Sequence, residues 1–255
     1  MAPHPDYPRT RLFTEQNLAA DLMLTLEDKQ AHYLSQVLRL CEGDAIAFFN
    51  GRDGEWQGVI ESSGKKAVTL SIQKQLRPQH HAPDLWLLAA PLKNSKTEWV
   101  IEKATELGIA KFCPVTTQFT VVDRIKEERL MSIAIEASEQ CERLDVPTIS
   151  PLTPLVKILA DWSVNRQLIY GDESGVGENV KDILPGLAHG SYALLIGPEG
   201  GFSATELELL RSLPYVTGMC MGPRVMRADT AAIAALTLLQ AACGDWDGKP
   251  AFRTA

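Results

Sequence analysis

The spacing of apolar positions changes about a third of the way along the chain. In the first part, 9–13, 22–25, 44–50, 55–61 and 66–74 read as short strands separated by Gly, Asp and Ser. Gly51-Arg52-Asp53-Gly54 and Ser62-Ser63-Gly64-Lys65 read as turns, the first because Gly and Asp tolerate the left-handed backbone of tight hairpins. One segment breaks the pattern: over 27–40, Ala31, Leu34, Val37 and Leu38, with Cys41 beyond, keep helical spacing and predict a helix. Strands this short and close predict a small, mostly antiparallel β-barrel. Beyond them the pattern alternates: strand 84–90, helix 96–107, strand 110–117, a long helix over 124–143, strands 167–170 and 193–196, helix 204–213, strand 216–221 and a last helix, 229–242. Strands alternating with helices predict an α/β domain, a largely parallel sheet covered on both faces. Between the two parts, 77–83 is polar, holds two prolines and reads as a linker. The predicted organisation is therefore a first domain over 1–76, a linker over 77–83 and a second domain over 84–255.

Composition narrows the class. The 255 residues are 45% hydrophobic, as in ordinary globular chains, and no apolar run approaches the ~20 residues of a membrane span. The start lacks a basic segment followed by an apolar one, so no secretory signal is expected. Five scattered cysteines without a C-x-x-C argue against a disulfide framework or a zinc site and predict a reducing, cytoplasmic setting. The net charge of −7 is unlike that of most nucleic-acid binders. It is unevenly spread: residues 1–82 carry nine basic and ten acidic side chains, the rest sixteen and twenty-two. The first part, which also holds His4, His32, His80 and His81, is thus the better candidate to face a polyanion.

The candidate chemistry lies in two runs. Leu194-Leu195-Ile196-Gly197-Pro198-Glu199-Gly200-Gly201-Phe202-Ser203 and Met219-Cys220-Met221-Gly222-Pro223-Arg224-Val225-Met226-Arg227-Ala228-Asp229-Thr230-Ala231 are each an apolar strand that breaks on Gly-Pro and leads to a helix. Such junctions expose main-chain amides, and their glycines let a ligand approach closely. In parallel α/β sheets they fall at the carboxyl ends of strands, where ligands sit. The chain has no phosphate loop of the G-x-x-x-x-G-K-[ST] kind and no G-x-S-x-G elbow. Gly175-Val176-Gly177 only mimics the start of a dinucleotide fingerprint, and a single histidine, His189, follows residue 81, which disfavours a histidine triad or a metal site. Glycine, main chain, methionine and valine suit a flat heterocycle of low charge.

Together the two runs resemble the paired signature of the knotted (SPOUT) methyltransferases, and more narrowly the RsmE family of small-subunit ribosomal RNA uridine-N3 methyltransferases. The resemblance extends to Lys93 with Glu102-Lys103-Ala104-Thr105-Glu106-Leu107-Gly108, to Glu139-Gln140-Cys141-Glu142-Arg143 with Pro147, and to His32-Tyr33-Leu34, Val37-Leu38-Arg39 and Gly43-Asp44. It implies a PUA-like RNA-binding β-barrel followed by a C-terminal α/β domain with a deep trefoil knot, S-adenosylmethionine as cofactor, no metal and a homodimer with its site near the interface. The partner it implies is small-subunit ribosomal RNA or the assembled subunit. The implied cofactor wall is Tyr170, Gly171, Glu173, Ile196, Gly197, Gly201, Met219, Met221, Gly222, Val225, Met226 and Arg227. The chain departs from the family in one place: Ala228-Asp229 stands where Thr-Glu is common.

Three residues are candidates for the chemistry. Glu199 either steers substrate or, as a carboxylate before a helix, complements its dipole. Arg227, more than Arg224, offers a guanidinium fork to uracil oxygens or phosphate, or else pairs with Asp229. Asp229 is a proton acceptor or the N-cap of the last helix. Arg9, Arg11, Arg39 and Arg52 are candidate contacts to the RNA backbone. Trp99, Val100, Ala104 and Leu107 read as packing, and core packing is the default for Met219 and Met221. Two other readings remain open at this point: a non-catalytic RNA-binding assembly factor on the same fold, and a knotted methyltransferase with another RNA target.

Overall fold

The computed structural model describes residues 7–249, and its contacts divide the chain into two units. One holds the residues up to His81 together with Ser138–Asp145; the other holds Ala82–Ala137 and Val146–Lys249.

In the first unit, β1 (Thr10–Phe13), β2 (Met23–Glu27) and α1 (Asp28–His32) precede β3 (Ala45–Phe49), β4 (Glu55–Ser63) and β5 (Ala67–Arg77). The strands form one sheet in the order β1-β3-β4-β5-β2. Only β1 and β3 are parallel among its paired strands. Leu24, Leu26, Ile46, Phe48, Ile60, Leu70 and Ile72 alternate inward from these strands to form its core, as period-two patterning requires. The helix expected over 27–40 is α1 followed by a π-helical turn, Tyr33–Val37, in which Leu38 N–H donates to Tyr33 O at 2.9 Å. The wider turn rotates the apolar stripe. Ala31 and Leu34 stay buried, but Val37, expected on the same face, is 58% exposed.

A charged cluster ties this unit together. Glu55 is fully buried; it accepts from Arg11 Nε at 2.5 Å and Arg77 Nε at 2.6 Å, and from the Tyr7 hydroxyl. The same arginines cap main-chain carbonyls of the 138–145 segment: Arg11 donates to Ser138 O and Arg143 O, and Arg77 to Glu142 O. Burial by itself would raise the Glu55 pKa, but its arginine partners outweigh that and hold it below the ordinary carboxylate range.

The second unit begins with β6 (Leu85–Ala89), α2 (Lys96–Glu106) and β7 (Lys111–Thr116), and includes α3 (Glu127–Cys141) up to Ala137. After β8 (Thr148–Ile149), β9 (Thr153–Pro154) and α4 (Leu155–Ala160) come β10 (Gln167–Gly171), β11 (Glu178–Asn179), α5 (Val180–Ile183) and β12 (Tyr192–Ile196). The last elements are α6 (Ala204–Ser212), β13 (Val216–Cys220) and α7 (Ala228–Cys243). The sheet runs β11-β13-β10-β12-β6-β7-β8, with β9 beside β7, and its paired strands are parallel.

Alternation along the strands builds a core on each face. Leu87, Ile169, Leu194 and Met219 point to α2, α3 and α7, where they meet Val100, Ala104, Leu130, Ala134, Ala232 and Leu236. Leu88, Leu168, Tyr170 and Leu195 point to the other face, toward Leu155, Leu159 and Leu210 of α4 and α6. Trp99, expected to pack, is instead 44% exposed. Because the strands are parallel, the loops after β7, β10, β12 and β13 all leave from one edge of the sheet.

Candidate active site

Three of those loops enclose a cavity of about 330 Å³, within the ~300–1,000 Å³ of small-molecule pockets. Gly171, Glu173, Ile196, Gly197, Gly201, Met219, Met221, Gly222, Val225 and Met226 line it, as does Glu199. Two residues expected in the wall, Tyr170 and Arg227, are not in its lining.

Local chemistry shapes each loop. At Gly197 a Cβ would lie 3.1 Å from the Phe202 ring, so glycine lets Phe202 fold back over the strand end and join the lining without a shift of the ring. Phe202 in turn meets Tyr170 edge to face, with centroids 6.0 Å apart. Tyr170 therefore supports the wall from behind. Gly201 has φ of +70°, and any side chain there would run into the Glu173 carboxylate from the neighbouring loop.

The loop after β10 is held by a polar network. Asp172, 6% exposed, accepts from Ser174 N–H at 2.8 Å, from the Tyr170 hydroxyl at 3.2 Å and from Arg211 Nη2 at 3.4 Å. Arg211, on α6, also donates to Ser174 Oγ at 2.9 Å. Burial pushes the Asp172 carboxyl up, but the hydrogen bonds from Ser174, Arg211 and Tyr170 together hold it below its usual range.

The start of α6 reassigns one candidate. Ser203 is its N-cap and forms a capping box with Glu206. Glu206, not Glu199, is the carboxylate that serves the helix, and Glu199 is left exposed at the pocket wall. At α7 the N-cap position belongs to Arg227, so Asp229 lies inside the first turn and is not the cap. Asp229 accepts from Thr230 N–H at 2.8 Å and pairs with Lys96 Nζ at 3.1 Å, not with Arg227. Burial works against its charge, yet Lys96 and the Thr230 amide keep its pKa below normal. Arg224 lines the pocket; Arg227 is exposed beside Ala228, which also lines it.

The arginines expected on RNA separate. Arg9, Arg39 and Arg52 are exposed, although Arg52 Nη2 also donates to Glu15 O at 3.0 Å. Arg11 is put to another use: it is 9% exposed, bound to Glu55 and to main-chain carbonyls, and its guanidinium lies 3.8 Å from the Phe49 ring centroid. Among the described residues no group of three or more His, Cys, Asp or Glu is placed to hold a metal ion, and no helix is long and apolar enough to cross a membrane.

Sequence reasoning missed several lining residues. Asp172, Ser174 and Gly175 follow Gly171 directly, and Gly175 belongs to the run set aside as a false dinucleotide motif. Its φ of +77° turns that loop along the pocket. Phe202 and Cys220 stood inside the quoted runs, where neither polarity nor glycine marked them.

Comparison with known proteins decides the family. Residues 79–240 match the model of an RNA methyltransferase domain, and 26–73 that of an RNA methyltransferase PUA domain. The chain is 34% identical over 228 residues to ribosomal RNA small subunit methyltransferase E of Rickettsia conorii, covering 89% of this chain and 93% of that one. The chain belongs to this methyltransferase family. The Bacillus subtilis member is 30% identical, again over 89% and 93% of the two chains. A Legionella pneumophila methyltransferase, solved in complex with the cofactor S-adenosylmethionine, superposes with a TM-score of 0.83 at 31% identity, over 93% of this chain and 99% of that one. This member of the family is accordingly an S-adenosylmethionine-dependent methyltransferase of small-subunit ribosomal RNA. The cavity fits that cofactor: it is glycine-walled where main chain must be reached and lined elsewhere by Ile196, Met219, Met221 and Phe202.

The Asp172 network has a measurable consequence. Arg211→Met is expected to raise KM for S-adenosylmethionine several-fold with little change in kcat, and Arg211→Lys to recover part of the loss. Steady-state kinetics checks this; a fall confined to kcat would separate the network from cofactor binding.

Proposed function

We propose that the chain methylates N3 of one specific uridine in small-subunit (16S) ribosomal RNA, in the cytoplasm and as a homodimer. In this reading the first unit is a PUA-like β-barrel that docks RNA. The second is a trefoil-knotted SPOUT domain whose knot carries the pocket. The observation that supports the reading best is the placement of Glu199 on the wall of a glycine-lined cavity formed at the carboxyl ends of β10, β12 and β13.

Gly171, Gly197, Gly201, Met219, Met221, Gly222, Val225 and Met226 would hold the cofactor. S-adenosylmethionine, when bound, supplies an electrophilic methyl group with a neutral thioether as leaving group. The chain contributes alignment and exclusion of water, which in a displacement reaction is the larger share. Uracil N3 is nucleophilic only after losing its proton. Glu199 accepts that proton, being at the wall and not committed to helix capping. Asp229 is the weaker base, since Lys96 stabilises its ionised form. Arg227 places its fork against the flanking carbonyl oxygens, where charge develops. The target base must be unpaired and unstacked, because N3 lies on its pairing edge.

N3 methylation blocks base pairing and so stops reverse transcription. A strain lacking the gene is expected to lose one strong stop in its small-subunit RNA. An unchanged stop pattern would overturn the assignment. Calorimetry with S-adenosylmethionine tests the non-catalytic assembly factor, which predicts no binding.

A further inference from the structure

A fourth loop leaves the same edge of the sheet, after β7. Residues 117–120 form a tight turn in which Thr120 N–H donates to Thr117 O at 3.2 Å and Thr117 N–H to Thr120 Oγ1 at 2.8 Å. The tip is pinned to α6, because Gln118 N–H donates to Glu206 Oε1 at 2.8 Å. The other oxygen of the same carboxylate accepts Ser203 N–H at 2.9 Å, so one side chain fixes the turn and caps the helix.

Phe119 stands on this rigid base and lies against Gly200: a Cβ at Gly200 would be 2.9 Å from Phe119 Cβ. Gly200 lies between Glu199 and Gly201, both of which line the pocket. The residue is nevertheless 44% exposed and is absent from the three buried apolar clusters. An aromatic side chain held at its backbone and left partly in solvent keeps ring surface available beside the pocket. Arg124 and Lys126 are exposed in the segment leading to α3, offset there by the exposed Asp123, Glu127 and Glu128.

We propose that Phe119 is the platform on which the target nucleobase of the RNA stacks after leaving its own stack, holding that base beside Glu199. The proposal rests on the RNA methyltransferase reading. Sequence-tolerant stacking on a protein aromatic replaces the stacking the base gave up in the RNA, while the pocket reads its pairing edge. Phe119 is a positioning residue for substrate and is not part of the cavity lining.

The test compares Phe119→Ala, Phe119→Leu and Phe119→Tyr in the full-length enzyme, with S-adenosylmethionine and small-subunit RNA, free and in assembled subunits, as substrates. Alanine and leucine are expected to lower kcat/KM for RNA about 5–100-fold, and tyrosine to restore most of it. Cofactor affinity by calorimetry and oligomeric state by sedimentation should be the same in all four proteins. A leucine variant as active as the native enzyme would overturn the proposal, because burial without a π face would then suffice. A change of oligomeric state in the alanine variant would also overturn it and assign Phe119 to a contact with a second copy. Native enzyme inactive on both the free RNA and the assembled subunit would instead sink the reading on which the proposal rests.

Discussion

Arg227→Ala is expected to lower the rate of methyl transfer about 10²–10³-fold while S-adenosylmethionine binds as before. The split follows from position. Arg227 is the N-cap residue of α7, exposed, and outside the cavity lining, whereas its neighbour Ala228 is part of that lining. Its removal leaves the pocket wall intact but takes away the cation at the start of α7, next in sequence to the lining residue Ala228. Arg227→Lys should recover little, since a point charge on a flexible stem does not reproduce a planar fork against two carbonyl oxygens. Single-turnover kinetics with saturating cofactor, beside calorimetry, checks both halves. Unaltered turnover would remove Arg227 from the mechanism; a parallel loss of cofactor affinity would return it to the cofactor wall.

Glu55→Gln is expected to destabilise the protein by about 3–5 kcal/mol. Glu55 is fully buried between two guanidiniums that are themselves 10% exposed or less. A neutral amide in its place removes the buried counter-charge that the two guanidiniums share. At ~2–4 °C per kcal/mol this is a fall of roughly 10 °C in the melting midpoint, readable by calorimetry or circular dichroism. The pH dependence carries the same signature. The folded pKa of Glu55 is depressed, so its contribution is fully present above the ordinary glutamate pKa and is lost as pH falls through the folded value. The native protein should weaken in acid, below about pH 4, by an increment that the glutamine variant lacks. Equal melting midpoints at neutral pH would show that the cluster carries little net stability.

The long elements were legible because apolar spacing is a property of whole turns and strands. The helices over 96–107 and 204–213 and the strand over 193–196 were each placed within about a residue of α2, α6 and β12. The two-residue strands β8, β9 and β11 and the short helices α4 and α5 left no readable period. At the site, glycine and the order of the two Gly-Pro runs marked the loops, since a positive φ and a close approach leave few alternatives to glycine. Partnerships between distant residues were not legible. Nothing in the local sequence joins Asp172 to Arg211, Asp229 to Lys96, or Arg11 to Glu55, because each pair is set by how strands and helices meet in space. For the same reason Arg11 read as a surface cation although the fold buries it.

The central claim is that the cavity at the ends of β10, β12 and β13 directs a methyl group to N3 of a uridine. It is tested most directly by incubating the native protein with small-subunit RNA from a strain lacking the gene, both free and in assembled subunits, and isotopically labelled S-adenosylmethionine, then digesting the product and identifying the labelled nucleoside by mass spectrometry. Label is expected in 3-methyluridine at a single site. Label in a ribose 2′-O-methyl nucleoside or another base, or no label at all, would contradict it.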